Sequence, residues 1–107
     1  MADATAPVSG GPADAVERLS ATITGRVQGV GFRWWARSAA DRMGLTGWVM
    51  NGADERTVEL VAEGSSASLD QLERLLRQGP PGAVVDSVES IRSPASGSYH
   101  RFQITRP

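Results

Sequence analysis

A glycine-rich segment near the start of the chain separates two different hydrophobic patterns. Before it, apolar and polar residues alternate over residues 19–27, which predicts a β-strand with one buried face. After it, apolar residues recur at helical spacing over residues 32–43, and Gly44 ends that pattern. The segment between them carries three glycines within residues 25–31. The sequence therefore predicts a sharp turn that leads from a strand directly into a helix.

Such a turn can form a binding site for an anion. Glycine lets backbone N–H groups approach a ligand closely, and the positive end of a helix dipole favours negative charge. Arg33 stands where the helix is predicted to begin, and its guanidinium group is a permanently charged fork that matches phosphate geometry. The pattern alone equally permits a plain turn in which Arg33 is solvated.

Strand and helix patterns continue after the first predicted helix. Ser65, Ser66 or Ser68 could cap the second helix, the last of these together with Gln71. On the third predicted strand, Glu59 and Glu63 share a face that we interpret as solvated. In chain order, the later elements are a hairpin over residues 45–51 and 57–63, a helix over residues 69–76, and strands over residues 84–91 and 99–105.

The order of the elements predicts the fold class. A β-α-β-β-α-β order with one short strand added at the end is typical of an α+β ferredoxin-like sandwich. We predict an antiparallel sheet with both helices on one face. Residues 1–17 carry few large apolar groups and cannot offset the entropy of ordering, so we predict a flexible N-terminal tail before a single domain at residues 18–107.

Composition excludes several classes of function. The net charge of −1 offers no basic footprint for nucleic acid. The chain has no cysteine and no lysine, which excludes a thiolate nucleophile and a Schiff-base lysine. Its single histidine, His100, cannot form a multi-histidine metal site. No apolar run reaches membrane-spanning length and the start lacks the features of a secretory signal, so we expect a cytoplasmic protein without a membrane or nucleic-acid partner.

Two blocks of sequence resemble the motifs of a known family. Residues 25–33 read Gly-Arg-Val-Gln-Gly-Val-Gly-Phe-Arg, and residues 44–51 read Gly-Leu-Thr-Gly-Trp-Val-Met-Asn. These blocks resemble the first and second motifs of the acylphosphatase family, and the resemblance covers residues 19–104. It implies hydrolysis of acyl phosphates to a carboxylate and inorganic phosphate by direct attack of water, without a metal or other cofactor. It also implies a small-molecule acyl phosphate as substrate, inorganic phosphate as product and inhibitor, and a monomer.

The resemblance also implies a role for particular residues. Arg33 and Asn51 would be catalytic, with Arg33 neutralising the phosphoryl oxygens and Asn51 orienting the attacking water. The phosphate would also be held by the backbone of a loop formed by Val27, Gln28, Gly29, Val30, Gly31 and Phe32.

Some alternatives stay open at this point. Asn-Gly is a common hairpin signal, so Asn51 could serve only the turn. The segment after it lacks the family's usual glycine after Asp54 and is one residue longer, which puts the geometry of the turn in question. Because fold alone does not give function, a non-catalytic anion-binding module and an interaction domain derived from a larger carbamoyl-phosphate-using assembly are alternatives to an enzyme.

Overall fold

A computed structural model describes residues 15–107. Five strands form one sheet in the order β4-β1-β3-β2-β5, with two helices packed against it. The elements are β1 (Val16–Arg26), α1 (Phe32–Arg42), β2 (Thr46–Asn51), β3 (Thr57–Ser65), α2 (Ser66–Gln78), β4 (Val84–Pro94) and β5 (Phe102–Ile104). The ferredoxin-like order predicted from the sequence is confirmed.

The direction of the last strand differs from the prediction of an antiparallel sheet. Strands β1 to β4 pair antiparallel, but β5 pairs parallel with β2, so the sheet is mixed. The reason lies in the register: β4 ends beside Glu17, at the same end of the sheet where β2 begins opposite Glu63. The segment after β4 crosses this end of the sheet to the opposite edge. Strand β5 therefore starts at the end where β2 starts and runs parallel to it.

The hydrophobic core lies between the sheet and the helices. Alternate residues of β1, an interior strand of the sheet, are buried because side chains along a strand point to opposite faces. The facing stripe of α1 is largely alanine, which lets that helix approach the sheet closely, whereas α2 contributes leucines. The core includes Leu19, Ala21, Ile23, Phe32, Ala36, Ala39, Ala40, Leu69, Leu72 and Leu76. Neither helix of residues 15–107 is long and apolar enough to cross a bilayer.

Near both ends of the domain, the observed bounds of the strands differ from the predicted ones. Strand β1 begins at Val16, so the last two residues of the segment predicted as a tail pair with the end of β3. Residues 1–14 of that predicted tail lie outside the described residues. Strand β4 continues to Pro94, because its ladder with β1 extends three residues past the predicted end at residue 91. Helix α2 is capped by Ser65, whose hydroxyl accepts from the Ser68 amide at 3.1 Å.

Glu63 is buried, and the prediction that it lies on a solvated face was wrong. Only 4% of its surface is exposed. Its carboxylate accepts hydrogen bonds from Arg18 Nε at 2.8 Å and from the amides of Ser96 and Gly97 at 2.9 and 3.0 Å. Burial raises the pKa of Glu63, but the hydrogen bonds from Ser96, Arg18 and Gly97 outweigh burial and lower the pKa to about 2. Arg18 lies on β1, and Ser96 and Gly97 follow β4, so no periodicity in β3 could reveal these donors.

Candidate active site

The loop between β1 and α1 leaves the start of the helix uncapped. Gly31 adopts a left-handed conformation with φ of 77°, and no side chain of residues 15–107 caps α1. The first-turn amides of a helix have no partner within the helix, so the N–H groups of Phe32, Arg33 and Trp34 are available to a ligand. The first turn contains no acidic side chain that would neutralise the positive end of the dipole. This geometry suits an anion.

Gly25 fixes the point at which β1 turns into the loop. The pairing of β1 with β4 changes register between Thr24 and Gly25, and Gly25 has φ of 144°. A Cβ atom at Gly25 would lie 2.0 Å from the carbonyl oxygen of Val84, so only glycine allows β4 to approach this closely. The amide of Gly25 donates to the carbonyl oxygen of Arg56 at 2.9 Å. The end of β1 is thereby attached to the hairpin that joins β2 to β3.

The side chain of Gln28 ties the loop to the same hairpin. Its Nε2 donates to the carbonyl oxygens of Asp54 and Thr57, both at 2.8 Å. The sequence predicted a role only for the backbone of Gln28. The side chain of Gln28 bonds to residues that lie 26 and 29 positions away in the sequence, so no local pattern predicts these contacts.

Asn51 belongs to β2, and the turn begins after it. Asn51 pairs with Val58, and the amide of Gly52 donates to the carbonyl oxygen of Thr57 at 2.9 Å. Gly52 does not have the positive φ that the usual Asn-Gly hairpin turn requires. The turn is formed by residues 53–56, and the carboxylate of Asp54 accepts from the Arg56 amide at 2.8 Å within it. The altered segment after Asn51 thus forms a closed turn, and Asn51 is the last residue of β2.

The side-chain oxygen of Asn51 is buried without a partner. Within residues 15–107, Oδ1 of Asn51 has no solvent contact and no hydrogen-bond donor. A buried polar group left unpaired costs about 1–3 kcal/mol, so each such group in a native fold calls for an explanation. The conformation of a turn does not explain this one, since Asn51 lies in a regular strand.

Arg33 follows the loop as the second residue of α1. Its side chain is half-buried, and no carboxylate of the described part of the chain lies within 4.0 Å of it. Gln28 brings the loop and the β2–β3 hairpin together, so Arg33 and Asn51 stand on two segments that are joined by hydrogen bonds. No group of three or more His, Asp or Glu side chains in residues 15–107 is arranged to hold a metal ion.

Comparison with known proteins decides the family. The family model described as Acylphosphatase matches residues 19–104. The chain belongs to the acylphosphatase family. The acylphosphatase of Rubrobacter xylanophilus is 44% identical to it over 88 residues, which cover 82% of this chain and 79% of that protein. The crystal structure of the acylphosphatase from Bacillus subtilis superposes with a TM-score of 0.79 at 35% identity, covering 83% of this chain and 98% of the other.

The same domain also occurs within a larger protein. The crystal structure of full-length HypF in its phosphate- and nucleotide-bound form matches with a TM-score of 0.77 at 26% identity, covering 89% of this chain but only 12% of HypF. The relatives named Acylphosphatase from Rubrobacter xylanophilus and Rhizobium etli match along 79% and 94% of their own length, at 44% and 46% identity. This acylphosphatase is therefore a hydrolase of acyl phosphates, which sets aside the non-catalytic alternatives.

Proposed function

We propose that this acylphosphatase hydrolyses a small-molecule acyl phosphate by direct attack of water on phosphorus, with Arg33, Asn51 and the β1–α1 loop as its site. The oxygen of water forms a bond to phosphorus while the bond between phosphorus and the acyl oxygen breaks. The electron pair of that bond leaves with the carboxylate, and the protons of the water pass to phosphate and solvent. The products are a carboxylate and inorganic phosphate.

The leaving group explains why so few catalytic groups suffice. A carboxylic acid has a pKa of about 4, so its carboxylate leaves without a general acid. When the transition state is loose, catalysis reduces to positioning the reactants and neutralising the equatorial phosphoryl oxygens. In this proposal, the amides of residues 27–32 and the guanidinium of Arg33 neutralise those oxygens. The uncapped start of α1 and the absence of an acidic side chain in its first turn support this assignment.

The observation that carries the proposal is the unpaired Oδ1 of Asn51. The buried acceptor indicates that the turn does not use this side chain, and the amide nitrogen of the same side chain can donate a hydrogen bond to the oxygen of the attacking water. An amide is not a base, but a loose transition state needs the water only to be oriented. Asn51 thus gives the water a fixed position opposite the leaving carboxylate.

Substituting Asn51 separates this role from a structural one. For Asn51→Ala we expect turnover to be lost, while inorganic phosphate still binds through the loop and Arg33. Because the substitution removes a buried acceptor that has no partner, the free energy of unfolding should stay equal or rise. Turnover of an aromatic acyl phosphate, the inhibition constant of inorganic phosphate and urea unfolding should be measured on the same preparations.

Asn51→Asp provides the matched variant of nearly equal size. It places a negative charge beside an anionic substrate and removes the amide donor, so we expect a severe loss of turnover together with weaker phosphate inhibition. If Asn51 serves only the turn, turnover of the Asp variant should be near normal. Near-normal turnover in either variant would remove Asn51 from the reaction.

We also propose that the protein acts as a monomer in the cytoplasm and that inorganic phosphate inhibits it competitively. A single domain that supplies every proposed site residue from its own chain supports the monomer. The product binds where the substrate phosphoryl group is proposed to bind, which supports the inhibition. Light scattering of the purified protein and phosphate inhibition kinetics test these two points.

A further inference from the structure

A groove beside Arg33 collects four arginine side chains. It has a volume of about 460 Å³ and lies between α1 and the C-terminal segment that contains β5. Arg33 and Arg37 line it from the helix, and Arg101 and Arg106 line it from either side of β5. Trp34, which is 63% exposed, forms part of its wall. This volume is within the range of small-molecule sites.

The groove is positive although the whole chain has a net charge of −1. Within the described part of the chain, no acidic side chain lines it. Arg18, Arg56 and Arg92 lie elsewhere and pair with carboxylates. By contrast, neither Arg101 nor Arg106 has a carboxylate within 4.0 Å among residues 15–107, and Arg37 approaches only Asp41, at 3.8 Å on the exposed side of the helix. Of the four arginines, Arg37 has a long ion pair with Asp41, whereas the other three have no carboxylate within 4.0 Å in residues 15–107.

The groove leads away from the proposed phosphate site. Arg37 follows Arg33 by one helical turn on the same face, and a rise of 1.5 Å per residue sets the two about 6 Å apart along the axis. The guanidinium of Arg37 also lies over the ring of Trp34, 5.4 Å from its centroid, which restricts its position. A substrate whose phosphoryl group lies at Arg33 can therefore extend its acyl group past Arg37.

We propose that this arginine groove binds a second anionic group on the acyl part of the substrate. The preferred substrates are then acyl phosphates of acids that carry another carboxylate or phosphate, rather than acyl phosphates with a neutral chain. The inference rests on the proposed function of Arg33 and the loop. Arginine suits this task because its planar fork binds carboxylate and phosphate oxygens in pairs.

Two acyl phosphates of equal chain length test the proposal. Succinyl phosphate ends in a carboxylate, whereas butyryl phosphate has a methyl group at the same position. We expect the wild-type enzyme to show a higher kcat/KM for succinyl phosphate, chiefly through a lower KM. In Arg37→Gln and in Arg106→Gln, the ratio of the two kcat/KM values should fall about 5-fold, as expected for a partly exposed charge-assisted contact.

Arg42→Gln is the matched control, because Arg42 is an exposed arginine in the last turn of α1 that does not line the groove. It should leave the ratio unchanged. Raising the salt concentration should lower the ratio for the wild type and have little effect on Arg37→Gln. Melting temperatures verify that each variant is folded, and Arg106→Gln, an exposed residue after β5, gives a second test should Arg37→Gln be unstable.

The outcomes separate the groove from the underlying activity. A wild-type ratio near one would overturn the proposed role of the groove, and so would a ratio that both Arg37→Gln and Arg106→Gln leave unchanged. In either case, hydrolysis of butyryl phosphate would still support the proposed function. A wild-type enzyme that hydrolyses neither compound would overturn the proposed function itself, and the groove with it.

Discussion

Glu63 should stabilise the fold in a way that depends on pH. Its carboxylate is buried and accepts hydrogen bonds from a guanidinium group, from two backbone amides and from the hydroxyl of Ser96. In Glu63→Gln, the new NH2 group must face a donor, such as the Gly97 amide that now binds Oε1. The variant thus loses the charge and also sets two donors against each other in a buried site.

The size of the effect follows from the pKa of Glu63. Its pKa falls from 4.5 to about 2 in the folded state. Because a tenfold change in an acid constant corresponds to about 1.4 kcal/mol, the ionised carboxylate stabilises the fold by about 3 kcal/mol. The folded-state pKa is depressed, so this stabilisation is present above about pH 4.5 and is lost as the pH falls through about 2.

Urea unfolding of the wild type and Glu63→Gln between pH 7 and pH 2 measures this contribution. At pH 7 the variant should be at least about 3 kcal/mol less stable, with a melting temperature lower by roughly 10–20 °C or more. The difference between the two proteins should stay constant down to about pH 4.5 and shrink below it. Glu89→Gln removes an exposed carboxylate from β4 and should change stability by less than about 0.5 kcal/mol. A difference that is the same at pH 7 and pH 2 would refute the reasoning.

Three further predictions concern the site. Arg33→Gln should keep its fold but lose about 3 kcal/mol of transition-state stabilisation, and inorganic phosphate should inhibit it poorly; inhibition equal to that of the wild type would remove Arg33 from the site. Turnover should be unaffected by chelators and flat between pH 5 and pH 8, because no titrating side chain is assigned a role; loss on chelation that a divalent ion restores would contradict the mechanism. Gly25→Ala should lower both the melting temperature and turnover, because its Cβ would lie 2.0 Å from the carbonyl oxygen of Val84; unchanged values would show that β4 can move aside.

The fold was predictable because its elements have strong local signals. The change from period two to helical spacing around residues 25–33 marked β1, the loop and α1 correctly. The parallel direction of β5 was not predictable, because it depends on where β4 ends relative to β2 and not on any residue of β5. The burial of Glu63 was also not predictable from local sequence, because its partners Ser96 and Gly97 lie 33 and 34 residues away.

The motifs allow residues of a candidate site to be proposed from the sequence, but they do not reveal the contacts that support those residues. The sequence motifs contain Arg33, Asn51 and the glycines before α1. The hydrogen bonds from Gln28 to the hairpin depend on how the loop folds back, and the unpaired oxygen of Asn51 depends on what the neighbouring segments fail to supply. These features arise only when the two segments come together in the folded chain.

Two local rules of stability are broken at the same end of the sheet. Among the described residues, none caps the start of helix α1 with its side chain, and none donates to the buried oxygen of Asn51. Helix α2 of the same protein is capped normally by Ser65, so the chain has the means to satisfy such groups elsewhere. Exceptions of this kind cluster at functional sites because groups that a ligand will use cannot also be satisfied by the protein. The side chain of Gln28 joins the β1–α1 loop to the hairpin that follows Asn51. The loop that we propose to hold the phosphoryl group is thereby linked to the hairpin beside the residue that we propose to orient the water.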